Sequence, residues 1–292
     1  MKCVWMALAI LLVVDRQQTF RSDVNIVEVY ATAIDRDGRL VADLSKEDFE
    51  IRDNGQVQRI EVFAQGTQPI TMSLMADESP SVLPIAGRIE SAVTEFAKHF
   101  LPGDRATIGA FSHLIRLEPE LSATPAALVE RVLHDRPRFP SGTALWDALD
   151  AARDVLKRES GRRVVLVLTD ADDNCSLVAP QDVIARIERE GTMVYAIGVK
   201  GNSGLPSGDL RSLTQDSGGY YFELRRDDDL PKTLARVADE LHRQYVIGFS
   251  PALLDGKAHR LTVTAKRSGV TVRARRTYIA ARPGEGTRDP SE

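Results

Sequence analysis

The pattern of apolar positions divides the chain into a central stretch of alternating strands and helices and two flanking stretches of strands. Between 70 and 241, short runs rich in Val, Ile and Leu alternate with segments whose apolar residues recur every three or four positions. The run 164–168 shows no polar alternation, as expected for a central strand covered on both faces. The pattern predicts an α/β domain with a doubly wound, mostly parallel, Rossmann-like sheet.

The flanking stretches are rich in β-branched residues and turn residues and lack a long helix. Strands are predicted at 23–34, 57–63, 245–249, 260–265 and 270–274. The last two are expected to form a hairpin across the turn at Ser268 and Gly269. Neither stretch is long enough to form a stable β domain alone. We therefore expect them to pair into one small sandwich-like module, with the α/β domain inserted between them.

These patterns give a set of domain boundaries. The β module comprises 22–66 and 245–281, the α/β domain comprises 67–244, and 282–292 has the composition of a disordered tail. Residues 1–21 contain a lysine, an apolar run at 4–14 and then charge, which is typical of a signal peptide or a short uncleaved anchor. A mis-assigned start codon is the third alternative. We expect export, to a secreted, periplasmic or bacterial cell-surface location.

The net charge limits the expected partners, and the cysteine content limits the expected disulfides. The net charge of −4 gives no overall attraction to nucleic acid or acidic membranes. Arg273 and Arg275 alternate with Val272 and Ala274, which indicates the solvated face of a strand rather than a basic patch. We expect no nucleic-acid partner, and membrane contact only through an uncleaved leader. Without the leader, Cys175 is the only cysteine, so no intramolecular disulfide is expected.

Candidate ligands for a metal ion lie where predicted strands end. An apolar run from 70 ends in D-x-S-x-S, with Asp77, Ser79 and Ser81. Open α/β sheets bind ligands at this edge. A carboxylate with two hydroxyls suits Mg²⁺ or Mn²⁺ better than soft metals, although Asp and Ser also occur in ordinary turns and N-caps.

Two later stretches add oxygen atoms at equivalent places. S-G-T-A-L-W-D-A-L places Thr143 just before a helix, and R-V-V-L-V-L-T-D-A-D-D-N leads a strand into Asp170. With these motifs the chain resembles the von Willebrand factor A domain family and its metal-ion-dependent adhesion site (MIDAS). The resemblance implies Asp77, Ser79, Ser81, Thr143 and Asp170 as metal-site residues. The flanking G-R-L-V-A-D-L-S-K-E-D-F-E-I-R-D-N-G and Q-Y-V-I-G-F-S-P are similar to segments of bacterial members of the family.

The resemblance also implies a function. It indicates a non-enzymatic adhesion or interaction module that holds Mg²⁺, with Mn²⁺ or Ca²⁺ as alternatives. Few direct carboxylate bonds would leave the ion electrophilic, so an acidic side chain of a protein partner would complete its coordination shell. A structural von Willebrand A domain with a degenerate, metal-free site is an alternative.

Several residues depart from the family pattern. Glu78 and Pro80 stand where the metal loop more often has small residues, and Ala171 stands where glycine is usual. Asp172 and Asp173 add negative charge that would favour a cation but repel an acidic ligand. These departures affect the type of ligand more than metal binding.

Enzymatic alternatives are less well supported by the sequence. An Mg²⁺-dependent phosphoesterase would use Asp77, Asp170 and the acidic residues after it, but the metal loops offer no clear nucleophile, base or cationic clamp. The segment 215–219 is similar to the nucleophile loop of trypsin-like proteases, yet Gly218 and Gly219 are better interpreted as a helix stop. No histidines have H-E-x-x-H spacing. We therefore predict that the protein is not an enzyme.

Overall fold

The structure, a computed structural model, describes residues 26–67, 69–124, 129, 141–199, 208–224 and 229–282. The predicted leader and the tail beyond 282 lie outside these residues. The spacing of apolar residues also predicts a helix at 126–133, which lies outside them except for Val129. Within the described residues, no helix combines the length and apolar character needed to span a bilayer.

The order of elements follows the predicted pattern. The strands are β1 (Val27–Ile34), β2 (Phe49–Asp53), β3 (Gln56–Gln58), β4 (Val62–Ala64), β5 (Thr71–Asp77), β6 (Arg105–Phe111), β7 (Ile115–Leu117), β8 (Arg163–Thr169), β9 (Met193–Gly198), β10 (Tyr221–Glu223), β11 (Tyr245–Phe249), β12 (Ala258–Ala265), β13 (Thr271–Ala274) and β14 (Thr277–Ile279). The helices are α1 (Ala86–Ala97), α2 (Leu145–Leu156), α3 (Pro180–Glu190), α4 (Gly208–Asp216) and α5 (Leu230–His242).

A six-stranded sheet of order β10-β9-β8-β5-β6-β7 forms the centre of the α/β domain. Its strands pair in parallel, except that β7 is antiparallel to β6. One face of the sheet packs against α1 and α5, and the other packs against α2, α3 and α4. Asp77 pairs with Phe111 and Ala76 with Leu168, so β5, β6 and β8 end level with one another. This register brings the loops that follow the three strands to one edge.

The β module consists of two four-stranded antiparallel sheets, β13-β1-β11-β4 and β14-β12-β2-β3. Its core includes Val29 and Ile51 from the N-terminal stretch and Tyr245 and Leu261 from the C-terminal stretch. Because strands from both ends of the chain complete each sheet, the α/β domain is an insertion. The predicted fold class is confirmed, and the exact boundaries stay predictions.

Two local predictions in the β module are wrong. The strands β12 and β13 do not form a hairpin, because β13 pairs with β1 while β12 pairs with β2 and β14. Val263 and Val272 instead pack on the same core from opposite sheets. The single strand predicted at 57–63 is divided into β3 and β4, which belong to different sheets, and the buried Ile60 lies between them.

Candidate metal centre

The loop after β5 holds three of the predicted metal ligands. Asp77 ends the strand and is only 1% exposed. The backbone N–H of Ser79 donates a hydrogen bond to Asp77 Oδ1 (2.8 Å), and Ser79 Oγ lies 3.1 Å from Ser81 Oγ. From the neighbouring β8, Thr169 Oγ1 donates to Asp77 Oδ2 (2.6 Å). Both carboxylate oxygens of Asp77 therefore accept hydrogen bonds from uncharged groups.

The electrostatic environment of Asp77 disfavours its negative charge. Burial raises the pKa of Asp77 to about 6, hydrogen bonds from Ser79 and Thr169 act in the opposite direction, and the charge of Asp170 adds to the rise. Asp170 is itself buried and directly follows Thr169, the last residue of β8. No lysine or arginine in the described part of the chain forms an ion pair with Asp77.

Thr143 lies two residues before α2 and is joined to the loop that follows Asp170. Its backbone N–H donates to Asn174 Oδ1 (2.9 Å), and its carbonyl accepts from the N–H groups of Asn174 (3.0 Å) and Cys175 (3.2 Å). Thr143 as a whole is buried, with 2% of its surface exposed. The structure thus fixes the Thr143 loop to the Asp170 loop through backbone contacts.

Further backbone bonds close the connection between the three loops. Glu78 N–H donates to the carbonyl of Phe111 (2.7 Å), which links the β5 loop to the end of β6. Ala144 N–H donates to the carbonyl of Ser112 (2.7 Å), which links the end of β6 to the Thr143 loop. The loops that carry all five predicted ligands therefore meet at one edge of the sheet.

Gly142 permits the close approach of the Thr143 and Asp170 loops. Its φ of 69° lies in the left-handed region that favours glycine. A Cβ at this position would lie 2.8 Å from Asn174 Oδ1 and 2.9 Å from Cys175 Sγ, so a side chain here would force these two side chains to shift.

The departures from the family pattern have distinct structural roles. Glu78 is buried and forms an ion pair with Arg116 of β7, which compensates its charge within the fold. Ala171 has a φ of 64°, a conformation in which glycine is favoured, and its N–H donates to Thr169 Oγ1 (2.9 Å). The turn after Asp170 is therefore formed in spite of the alanine.

Asp173 acts on helix α2. Its Oδ1 accepts from the backbone N–H of Leu145 (2.9 Å) and from Ser176 Oγ (2.6 Å), and Ser176 Oγ accepts from Trp146 N–H (3.0 Å). A carboxylate at a helix N-terminus is favourable because it meets unsatisfied N–H groups and the positive end of the dipole. By contrast, Asp172 is exposed.

The sequence reasoning missed Thr169 and Asn174 as residues that position this centre. A polar residue ending an otherwise apolar strand is a local signal that would have indicated Thr169. Asn174 reaches Thr143 across 31 positions of the chain, and no local pattern indicates such a contact.

The donor set fits a hard divalent cation. The five predicted residues offer hydroxyl and carboxylate oxygens, the ligand type preferred by Mg²⁺, Mn²⁺ and Ca²⁺. In the part of the chain that the structure describes, His, Cys, Asp and Glu form no cluster of three or more that is suited to a metal. Burial and the charge of Asp173 raise the pKa of the nearby Cys175 thiol, so it is not a ready thiolate ligand.

Comparisons with known proteins agree with this fold. The family model of the von Willebrand factor type A domain matches residues 74–236. No curated protein matches the chain. Proximal thread matrix protein 1 from the mussel byssus has a TM-score of 0.52 and 18% identity, over 74% of this chain and 50% of that protein. A structure of the same mussel protein with a zinc-occupied MIDAS motif has a TM-score of 0.51 and 20% identity, over 65% of this chain and 49% of that one.

A von Willebrand factor type A protein from Catenulispora acidiphila matches over a longer part of the chain. It has a TM-score of 0.51 and 15% identity, over 89% of this chain and 75% of that protein. Identities this low show the fold alone. The family model, however, extends from the middle of β5 into α5 and spans more than half of the sequence. The chain therefore belongs to the von Willebrand factor type A domain family.

Proposed function

We propose that the protein is an exported, non-enzymatic interaction module that binds a protein partner through a divalent cation at the loops after β5, β6 and β8. The family to which it belongs is typically involved in protein interaction or adhesion. Ser79, Ser81 and Thr143 would supply hydroxyl oxygens to the ion. Asp77 and Asp170 would balance its charge directly or through water.

The observation that carries this proposal is the environment of Asp77. A carboxylate that is 1% exposed has neutral hydrogen-bond donors on both oxygens, and the charge of a second carboxylate, Asp170, further disfavours its own. Burial of an uncompensated charge is costly, and a cation would offset that cost. When bound, Mg²⁺ would supply concentrated positive charge to which an acidic side chain of the partner binds. Mn²⁺ and Ca²⁺ are the alternatives.

Exposed apolar side chains indicate what else the partner carries. Leu83, Leu114 and Leu177 are 40%, 56% and 93% exposed, and they lie in the loops after β5, β6 and β8 respectively. Apolar side chains around a polar centre are typical of protein interaction surfaces. The partner would therefore present its acidic residue among bulky apolar residues.

Thermal unfolding of the full chain tests the ion. At about 100 times its dissociation constant, a bound metal stabilises the folded state by about 2.7 kcal/mol. For a chain of this size, about 2–4 °C per kcal/mol predicts a rise of several degrees in Mg²⁺, Mn²⁺ or Ca²⁺ relative to EDTA. Asp77→Ala should abolish the rise. Asp172→Ala, which removes an exposed carboxylate from the same region, is the matched control and should retain it.

A second variant keeps the test valid if Asp77→Ala does not fold. Ser79→Ala with Ser81→Ala removes two hydroxyl ligands without removing a charge, and the metal-induced rise should again be lost. A rise that survives in both variants, or no rise with any of the three ions, would contradict the proposal. Hydrolysis of a generic phosphate ester that depends on Asp77 would instead support the phosphoesterase.

A further inference from the structure

We infer that Glu78 and Arg116 set the cation affinity of the candidate metal centre through their opposite charges, Glu78 strengthening it and Arg116 weakening it. The inference deepens the proposed function and rests on it, because it concerns the same centre. Neither residue is among the five proposed ligands. Arg116 would thus determine how tightly the centre binds its ion without contacting that ion.

Glu78 places a charge inside the metal loop. It stands between the proposed ligands Asp77 and Ser79 and is only 3% exposed. Its backbone is fixed, because its N–H donates a hydrogen bond to the carbonyl of Phe111 at the end of β6 (2.7 Å). The charge of Glu78 is therefore held beside the centre in buried surroundings, where electrostatic interactions are stronger than in water.

Arg116 approaches Glu78 from the edge of the central sheet. It is the middle residue of the edge strand β7 and is paired in register with Ala110 of β6. Its Nη2 forms an ion pair with Glu78 Oε2, and its side chain is 30% exposed. The ion pair therefore extends across β6 and joins β7 to the metal loop.

The carboxylates of Asp77 and Glu78 are held towards opposite sides of β5. Asp77 Oδ2 accepts a hydrogen bond from Thr169 of β8, whereas Glu78 is paired with Arg116 beyond β6. This arrangement directs Glu78 away from Asp77. Glu78 still acts on a bound ion through its charge, since carboxylates of adjacent residues lie on the order of 10 Å apart, about one Debye length at 0.1 M salt.

The signs of the two effects follow from charge. Removing the guanidinium of Arg116 takes away the positive charge that opposes Glu78, so a divalent cation should bind more tightly. Removing the carboxylate of Glu78 takes away a negative charge and leaves the guanidinium, so the cation should bind more weakly. A pair that only supported the loop would behave differently, because either substitution would break the same contact and weaken binding.

Titration calorimetry of the full chain with Mg²⁺, Mn²⁺ or Ca²⁺ tests the inference. Arg116→Gln should bind each ion about three- to tenfold more tightly than the unmodified chain, and Glu78→Gln about three- to tenfold more weakly. The two changes should cancel, so the double variant Glu78→Gln with Arg116→Gln should bind within about twofold of the unmodified chain. All differences should shrink as the salt concentration rises.

Two further variants serve as controls. Arg105 begins β6 at the opposite edge of the sheet and pairs with Glu159 (2.8 Å), so Arg105→Gln changes the net charge equally and should leave the affinity unchanged. Arg116→Lys keeps the positive charge and should bind as the unmodified chain does. Circular dichroism in EDTA checks that each variant folds. If Arg116→Gln does not fold, the double variant should still bind more tightly than Glu78→Gln.

The inference is overturned if Arg116→Gln and Glu78→Gln change the affinity in the same direction, or if neither differs from Arg105→Gln. Either result leaves the proposed function intact as long as the unmodified chain binds a divalent cation. Absence of binding of all three ions to the unmodified chain and to every variant would overturn the inference and the proposed function together.

Discussion

Asp77 and Glu240 are each 1% exposed, yet these two buried carboxylates have opposite electrostatic surroundings. Asp77, at the C-terminal edge of the central sheet, accepts hydrogen bonds from uncharged donors such as Thr169. Glu240, near the opposite edge, accepts from Tyr195 Oη (2.6 Å) and forms an ion pair with Arg273 (2.6 Å). Among the described residues, the charge of Glu240 is compensated by a cation, whereas Asp77 accepts hydrogen bonds from neutral donors alone.

The contacts around Glu240 extend into a network that joins the two parts of the molecule. Gln244 Nε2 donates to Thr32 Oγ1 of β1 (3.1 Å), and its Oε1 accepts from Arg162 Nη1 (3.0 Å). Arg162 Nη2 donates to the carbonyl of Pro69 (3.1 Å). Because Pro69 and Gln244 lie where the chain enters and leaves the α/β domain, the network fixes that domain to the β module. A buried polar network that is well satisfied makes a structure rigid.

The largest expected effect on stability is that of removing the carboxylate of Glu240, whose charge is compensated by Arg273. Glu240→Ala leaves the largely buried Arg273 without its carboxylate and removes the acceptor of Tyr195, so we expect the free energy of unfolding to fall by about 3–5 kcal/mol. Urea denaturation followed by circular dichroism measures this loss. Asp239→Ala, which removes an exposed partner of Arg243, should cost no more than about 1 kcal/mol. Equal losses in the two variants would contradict the comparison.

Asp104 is a third buried carboxylate, and the stability that it contributes depends on pH. Burial raises its pKa, but hydrogen bonds from His242 Nε2 (2.8 Å), Leu101 N–H (2.7 Å) and Ile70 N–H (2.8 Å) more than offset this, and the pKa is lowered. A carboxylate with a lowered pKa in the folded state stabilises the protein above its ordinary pKa of 3.8, and this stabilisation is lost as the pH falls through the folded value.

Asp104→Asn should therefore lower the free energy of unfolding by about 1.5–3 kcal/mol at neutral pH, since hydrogen bonds to a charged acceptor are replaced by weaker ones. The difference from the unmodified protein should shrink below about pH 3.8. Denaturation curves recorded between pH 3 and 7 measure it. A difference that stays constant over that interval would show that the charge of Asp104 plays no part.

A substitution at Gly142 tests whether the loops around Asp77 depend on the backbone conformation of this glycine. Gly142→Ala introduces a Cβ into the left-handed region and into contact with Asn174 and Cys175, so we expect a loss of about 1–3 kcal/mol. Metal binding should weaken in the same variant. The control is Gly87→Ala in α1, where a Cβ meets nothing within 4 Å and should stabilise the fold by about 0.4–1 kcal/mol. Thermal unfolding with and without metal separates the loss of stability from the loss of metal binding. A Gly142→Ala protein with unchanged stability and metal response would contradict the requirement for glycine.

The smallest effect is expected at Asp77 when no metal is present. In Asp77→Asn the amide can accept from Ser79 and donate to Thr169, so stability in EDTA should change by less than about 1.5 kcal/mol. This contrasts with Glu240, where loss of charge leaves a cation unpaired. Chemical denaturation in EDTA measures the change. A loss as large as that of Glu240→Ala would show that the charge of Asp77 is already compensated.

The fold class and the placement of the metal loops could be predicted because both depend on local patterns. Apolar runs without alternation identified the central strands, and polar residues at their ends identified Asp77 and Asp170. Parallel strands that end level with one another place such residues at one edge. That five such residues bind a metal stays a prediction.

Contacts between residues that are far apart in the sequence could not be predicted from local patterns. The turn at 268–269 favours a hairpin locally, but β1 provides a better partner for β13, and the local signal is overridden. Asp173 was interpreted as an extra charge at the metal loop, whereas it accepts a hydrogen bond from Leu145, 28 positions earlier. Glu240 and Arg273 are 33 positions apart, and only the packing of α5 against the β module brings them together.

The insertion of the α/β domain has a mechanical consequence. Val27 and Ile279 both belong to the β module, and the pairing of β1 with β11, from Val27 with Phe249 to Ala31 with Tyr245, closes the loop in which the α/β domain lies. Tension applied between Val27 and Ile279 therefore acts first on the strands of the β module. The α/β domain would bear load only after β1 had separated from its neighbours, so an adhesive contact made by that domain would be shielded from pulling along the chain.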